Sequence, residues 1–183
     1  WEPELSDYVV DAERIFNDNL SIIVSSIHES EQRGTYLIDL FGEQKKLSDR
    51  IYYRLEMING NHPALLAWDY DTVDLISPTG EVIQIRDRGS YYEFSYVSPD
   101  QNWFILGMSG MFDLFSNTGQ FIRQLNSLDA YSLIWNPDSK SLMVPDQDGL
   151  YYLSIPDGEP VLVETFGSYK CYCTNAYDYL WIP

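Results

Sequence analysis

Positive charge is what this chain has least of. Eleven Lys and Arg stand against 28 Asp and Glu, a formal net charge of −17 over 183 residues. Nucleic-acid affinity rests largely on neutralising phosphates, so a surface of this sign excludes a phosphate backbone as partner. The same repulsion excludes anionic membrane surfaces. No apolar run approaches the roughly 18 residues of a spanning helix, which argues against direct membrane insertion. Histidine is nearly absent too: His28 and His62 are the whole supply. They fall in different parts of the pattern described below and read as solvent-facing or turn residues, not as a general base or a metal set. The only cysteines are Cys171 and Cys173. In a regular strand, positions i and i+2 share a face but are held apart by the extended backbone, so a disulfide would need a bulge. Two thiols make half a zinc site, and no histidine lies nearby in sequence. They read as buried free thiols and do not fix a redox compartment.

What the chain does have is a period. Gly42, Gly80, Gly119 and Gly158 recur at intervals of 38, 39 and 39 residues, each shortly after an apolar run. The pairs Asp39-Leu40, Asp74-Leu75, Asp113-Leu114 and Tyr152-Leu153 keep the same phase. A fixed period near 40 in a chain rich in Tyr, Ile, Leu and Val marks a repeat architecture whose units pack on their neighbours. The units fall at about 8–50, 51–90, 91–129 and 130–168, with a remnant at 169–183 that aligns with the first two strands of another unit. The whole of 1–183 reads as a single repeat domain.

The third unit is the clearest. Tyr91–Val97, Trp103–Met108, Met111–Phe115 and Gln120–Leu125 are β-rich runs, separated by a Pro-Asp turn, by Ser109-Gly110 and by Asn117-Thr118-Gly119. The fourth unit repeats it with Tyr131–Trp135, Ser141–Val144, Leu150–Ile155 and Pro160–Phe166. Unit two has Asn59-Gly60-Asn61 as its first turn, and unit one has a longer second hairpin over Glu29–Gly34. No segment sustains a helical period; Asp11–Asn17 can form a helical turn, but its phase makes it the first strand of unit one. Four short antiparallel strands per period predict an all-β fold of β-propeller blades, about four plus a partial one. The four glycines are expected in the turns between third and fourth strands.

Two segments add a family likeness. Ser98-Pro99-Asp100-Gln101-Asn102, between Tyr96-Val97 and Trp103-Phe104-Ile105, resembles the repeat of TolB-type and related WD-like propellers, an apolar strand followed by Ser-Pro-Asp-Gly and a second apolar strand. Asn136-Pro137-Asp138-Ser139-Lys140, between Ile134-Trp135 and Ser141-Leu142, is similar. In such a turn Pro presets φ and Asp hydrogen-bonds the backbone two residues on. The Gly-His and Trp-Asp dipeptides of true WD repeats are absent. Ser98, Pro99, Asp100, Asn136, Pro137 and Asp138 are therefore structural turn residues, as are the four glycines. The resemblance implies a fold and an extracytoplasmic location, periplasmic or secreted, but not an activity. Some TolB-like enzymes hold a metal with several channel histidines, a set that two histidines do not reproduce.

The remaining motifs read mainly as structure. Gly107-Met108-Ser109-Gly110-Met111 touches the nucleophile-elbow pattern with its second glycine one position early, on a hairpin and not a strand-to-helix turn. Asp69-Tyr70-Asp71-Thr72-Val73-Asp74 and Asp146-Gln147-Asp148-Gly149 place carboxylates near hairpin turns. A weak divalent-cation site is chemically reasonable there, yet Asp and Gly are ordinary turn residues. Tyr52-Tyr53, Tyr91-Tyr92 and Tyr151-Tyr152 pack between blades or serve as binding anchors. Asn19-Leu20-Ser21 fits a glycosylation acceptor. No catalytic, cofactor-binding or metal residue is assigned, and no cofactor. The expected function is a non-enzymatic scaffold for a protein partner, as a segment or subunit of a larger assembly. The alternative is a carbohydrate- or ligand-binding propeller of an extracytoplasmic enzyme or sensor. For closure of the ring, pairing of residues 1–7 with Tyr179–Ile182 is the alternative to a segment completed by other blades.

Overall fold

The computed structural model describes residues 9–15, 21–26, 34–38, 41–87, 92, 94–108, 111–125, 133–146 and 148–165, with side chains from residue 34 onward. Sixteen strands and no helix are found among them. They form four four-stranded antiparallel sheets, each meandering in chain order. The first is β1 (Val9–Ile15), β2 (Ser21–Ser26), β3 (Gly34–Ile38) and β4 (Gln44–Ser48); the second is β5 (Arg54–Ile58), β6 (Ala64–Trp68), β7 (Thr72–Ile76) and β8 (Val82–Asp87). The third is β9 (Phe94–Val97), β10 (Trp103–Met108), β11 (Met111–Ser116) and β12 (Phe121–Gln124). The fourth is β13 (Ile134–Trp135), β14 (Ser141–Pro145), β15 (Gly149–Ser154) and β16 (Val161–Thr165). Each sheet falls inside one sequence repeat, and Asp11–Ile15 is strand, as its phase requires. The remnant 169–183 with both cysteines, residues 1–7, His28 and the Ser109-Gly110 turn lie outside the described residues.

Burial follows strand position. In the middle strands β6 and β7 every residue is buried, which explains the unbroken apolar run Ala-Leu-Leu-Ala-Trp of β6, while β7, Thr-Val-Asp-Leu-Ile, buries two polar residues, Thr72 and Asp74, among its apolar ones. The fourth strands face water: Gln44, Lys45 and Lys46 in β4 and all five residues of β16 are exposed. A β-bulge or equivalent register shift interrupts every pairing of a third strand with a fourth, at Thr35/Tyr36, Val73/Asp74, Leu114/Phe115 and Leu150/Tyr151. Bulges add local twist, so each sheet turns its outer strand by the same device.

The chain divides into two compact units, residues 1–91 with 117–120, and residues 92–116 with 121–183. In the first unit β1 lies beside β5, and Leu47 of β4 joins Tyr52, Leu55, Leu65, Ala67 and Ile76 in one core. In the second, Ile105, Phe112, Leu114 and Leu125 pack on Leu133, Leu142, Val144 and Leu153 from the following sheet. Phe104 and Phe115 stack within the third sheet at 5.1 Å between centroids and 9° between planes. Each core is thus filled by the facing surfaces of two consecutive sheets, and no sheet buries its apolar face alone.

All four repeat glycines lie between a third and a fourth strand. Gly42, Gly80 and Gly119 take φ of 86°, 91° and 83°, the left-handed region where a Cβ is strained. Gly158 differs: its φ is not positive, and its turn, closed by Gly158 N–H donating to Ser154 O, contains a cis Ile155–Pro156 peptide. One regular spacing in sequence therefore covers two turn geometries.

Candidate functional site

The two Pro-Asp turns are built alike. Ser98 N–H donates to Trp103 O at 2.9 Å and Gln101 N–H to Ser98 O at 2.8 Å. Asn136 N–H and Ser139 N–H make the corresponding bonds to Ser141 O at 2.9 Å and Asn136 O at 2.8 Å. Asp100 Oδ1 accepts from Asn102 N–H at 3.1 Å and Asp138 Oδ1 from Lys140 N–H at 2.9 Å, the two-residue reach that Asp supplies in turns. Ser98 Oγ donates to Asp100 Oδ1 at 2.7 Å and accepts from Trp103 N–H at 3.1 Å. Burial opposes ionisation of Asp100, but the bonds from Ser98, Asn102 and Ser139 outweigh it and hold the carboxyl below its usual value.

The fourth turn residue, glycine in the family pattern, is Gln101 in one turn and Ser139 in the other, at φ of 58° and 60°. Ser139 has a second task. Its buried hydroxyl accepts from Asp100 N–H at 2.9 Å, and Trp135 Nε1–H donates to Tyr96 O at 3.1 Å. The Asp100–Ser139 bond between the turns and the Trp135–Tyr96 bond between β13 and β9 hold the third sheet to the fourth.

A second constellation lies at the entry to the second sheet. Asp74 is 1% exposed, and its Oδ2 accepts from Tyr52 O–H at 2.6 Å and from Arg50 Nη1 at 3.1 Å. The same Arg50 nitrogen donates to Thr72 Oγ1 at 2.5 Å and lies 3.6 Å from Asp69 Oδ2. Arg50 carbonyl accepts from Thr35 Oγ1 of β3 at 3.0 Å, which ties this linker to the first sheet. Asp69 Oδ1 closes the β6–β7 turn by accepting from Asp71 N–H at 2.7 Å and Thr72 N–H at 2.6 Å. Asp74 Oδ1 is buried without a hydrogen-bond partner. Burial, then the bond to Asp74, pushes the Tyr52 phenol well above its usual range.

The third sheet repeats part of this arrangement. Tyr92 O–H donates to Asp113 Oδ2 at 3.1 Å, and Asp113 is buried. Tyr52 and Tyr92 are 40 residues apart, Asp74 and Asp113 39 apart, so one tyrosine-to-aspartate latch recurs with the period. In sequence the two halves stand apart, as tyrosine pairs and as Asp-Leu pairs, with nothing local to join them. The shared spacing was the available signal. In the fourth repeat the aspartate position is Tyr152, which is 37% exposed.

At the same end of the second sheet, Tyr70 stands 76% exposed in the β6–β7 turn, its ring centroid 5.2 Å from that of Tyr53 at 38°. Arg54 lies over the Trp68 ring at 4.5 Å and within 3.3 Å of Glu56 Oε2. His62 is exposed in the β5–β6 turn. Among the described residues no group of three or more His, Cys, Asp or Glu is placed to hold a metal.

No family model and no curated protein sequence matches the chain. Solved structures do. Hsv2 of Kluyveromyces marxianus is similar at 14% identity and a TM-score of 0.50, over 78% of this chain and 48% of that one. A eukaryotic initiation factor is similar at 12% identity and a TM-score of 0.61, over 86% and 43%. Hsv2 of Kluyveromyces lactis is similar at 11% identity and a TM-score of 0.53, over 79% and 49%. The chain spans somewhat less than half the length of each. These are WD40-type propellers, and at such identities the likeness concerns the fold. Four consecutive four-stranded meanders, one per repeat, and these neighbours together identify the chain's fold as that of a β-propeller.

Proposed function

We propose that this chain is a non-enzymatic propeller scaffold for protein–protein interaction, of TolB-like kind in its third and fourth repeats. The observation that carries the reading is how the polar side chains are used. Asp74, Asp100 and Asp113, with Ser98, Ser139, Tyr52 and Tyr92, are engaged in holding turns and joining strands, while a large aromatic, Tyr70, stands out at a turn. Exposed tyrosine is a good anchor in protein interfaces, because it brings contact area at low entropic cost. The reading includes membership of a larger assembly as a segment or subunit.

The test is affinity capture followed by reconstitution of the complex from purified components, with a saturable isotherm as the expected result. A saturable, sugar-specific signal on a glycan array, with no protein complex, would replace this reading by the carbohydrate-binding one. Hydrolase and lyase panels are expected at background. Stoichiometric labelling of Ser109 by a mechanism-based serine probe would end the non-enzymatic part.

A further inference from the structure

We propose that the Tyr53–Tyr70 end of the second sheet binds an arginine or lysine side chain presented by a basic protein partner. The inference rests on the scaffold reading and names the chemistry of its partner. Tyr70 is 76% exposed and packed on Tyr53, so the turn offers electron-rich ring faces to solvent. A cation over such a face is held by the ring quadrupole. Asp69 and Asp71 flank Tyr70 in sequence, and Asp69 and Asp74 share the single guanidinium of Arg50. Asp74, 1% exposed, keeps one carboxylate oxygen without a partner. Asp69, Asp71 and Asp74 stand against Arg50, and Glu56 against the Arg54 guanidinium beside Tyr53. Four carboxylates against two cations leave the turn negative, and Arg50 is already held by Thr72 and Asp74.

The chain uses the same chemistry internally, where Arg54 lies 4.5 Å over the Trp68 ring and 3.3 Å from Glu56. A net charge of −17 would steer a cationic partner and repel an anionic one. A sugar ring would use the aromatic faces and could donate its hydroxyls to the carboxylates, but being neutral it gains nothing from the net negative field, which favours a basic side chain.

The full chain is titrated into a fluorescein-labelled peptide of nine arginines at physiological salt, with binding read by anisotropy and folding of each variant by circular dichroism. Tyr70→Ala is expected to weaken binding about three- to fivefold, the scale of an exposed cation–π contact, and Tyr70→Phe to restore it. Asp71→Asn should weaken binding by a similar factor. Asp157→Asn, an equal charge change in the exposed β15–β16 turn, should change it less than twofold. Absence of peptide binding overturns the inference. So does an unchanged Tyr70→Ala with equal losses in the two Asn variants, which would mean generic attraction. If a reconstituted protein complex forms yet the peptide does not bind, this inference alone fails. If the peptide binds through Tyr70 yet no protein complex can be reconstituted, the scaffold reading fails instead.

Discussion

Gln101 and Ser139 sit in the same left-handed turn position but differ in what their side chains do. A non-glycine residue there carries a penalty of about 1–2 kcal/mol. Gln101→Gly relieves that strain but also removes the Gln101 side chain's own interaction and gives the unfolded chain glycine's greater freedom, so it is expected to shift stability by less than about 1 kcal/mol. Ser139→Gly relieves the same strain but deletes the hydroxyl that accepts from Asp100 N–H, so its net gain should be near zero or negative. Urea denaturation of both variants checks the contrast; equal shifts would mean that the Ser139 bond contributes no more than the Gln101 side chain does. Asp100 gives a pH-dependent case. Its carboxyl is held below its usual 3.8, so its contribution is present above that value and lost as pH falls through the lower folded value. Asp100→Asn should therefore be less stable than the parent at neutral pH, with the gap closing only as pH falls below 3.8 through the lower folded value. A difference that persists in acid would assign the effect to shape instead of charge.

Among the elements, the latches from linker tyrosines to third-strand aspartates decide how firmly each sheet holds its entering chain. A hydrogen bond to a charged group contributes about 1.5–3 kcal/mol, so Tyr52→Phe should destabilise the chain by about 2 kcal/mol. Tyr92→Phe should cost less, because Tyr92 is only half-buried and its bond is longer. The Tyr52 phenol is favoured neutral in the fold, so its contribution is full below the unfolded value near 10 and lost as pH rises through the higher folded one. The gap between parent and Tyr52→Phe should narrow in alkali; a gap that stays constant to high pH would show that the phenol proton is not what the latch uses. The same elements show what was legible in sequence. Strand positions in the third and fourth repeats follow from alternating apolar runs and turn residues, and Trp103–Met108 coincides with β10. The latches were not legible, because Tyr52 and Asp74 lie 22 residues apart and meet only once the linker folds across the third strand. Sequence gives a carboxylate's phase but not its depth, so Asp74 read as turn chemistry beside Asp69 and Asp71. The recurrent register shift between third and fourth strands has no residue signature in common: it falls at Thr35/Tyr36, Val73/Asp74, Leu114/Phe115 and Leu150/Tyr151.

For the molecule as a whole, the outer strands separate protected edges from an open one. An unpaired edge invites association unless charge or a bulge blunts it. Lys45 and Lys46 do this in β4, and Arg86 and Arg123 place positive charge in β8 and β12. β16 has no lysine or arginine. Its Val161, Leu162 and Val163 are 58%, 45% and 59% exposed, and among the described residues no strand pairs with its outer edge. A bulge lies in its pairing with β15, but the apolar run itself is unguarded. The larger-assembly reading gives this edge a use: it meets another strand or sheet when the assembly forms. The chain alone is then expected to associate at rising concentration despite its net charge of −17, and Val163→Lys should suppress that association without lowering the melting temperature, since the substituted side chain faces solvent. Sedimentation velocity over a hundredfold concentration range reads both. Association unchanged by Val163→Lys would place the contact elsewhere. A monodisperse monomer throughout, with residues 1–7 protected from hydrogen exchange by pairing with Tyr179–Ile182, would instead favour a chain that closes on itself.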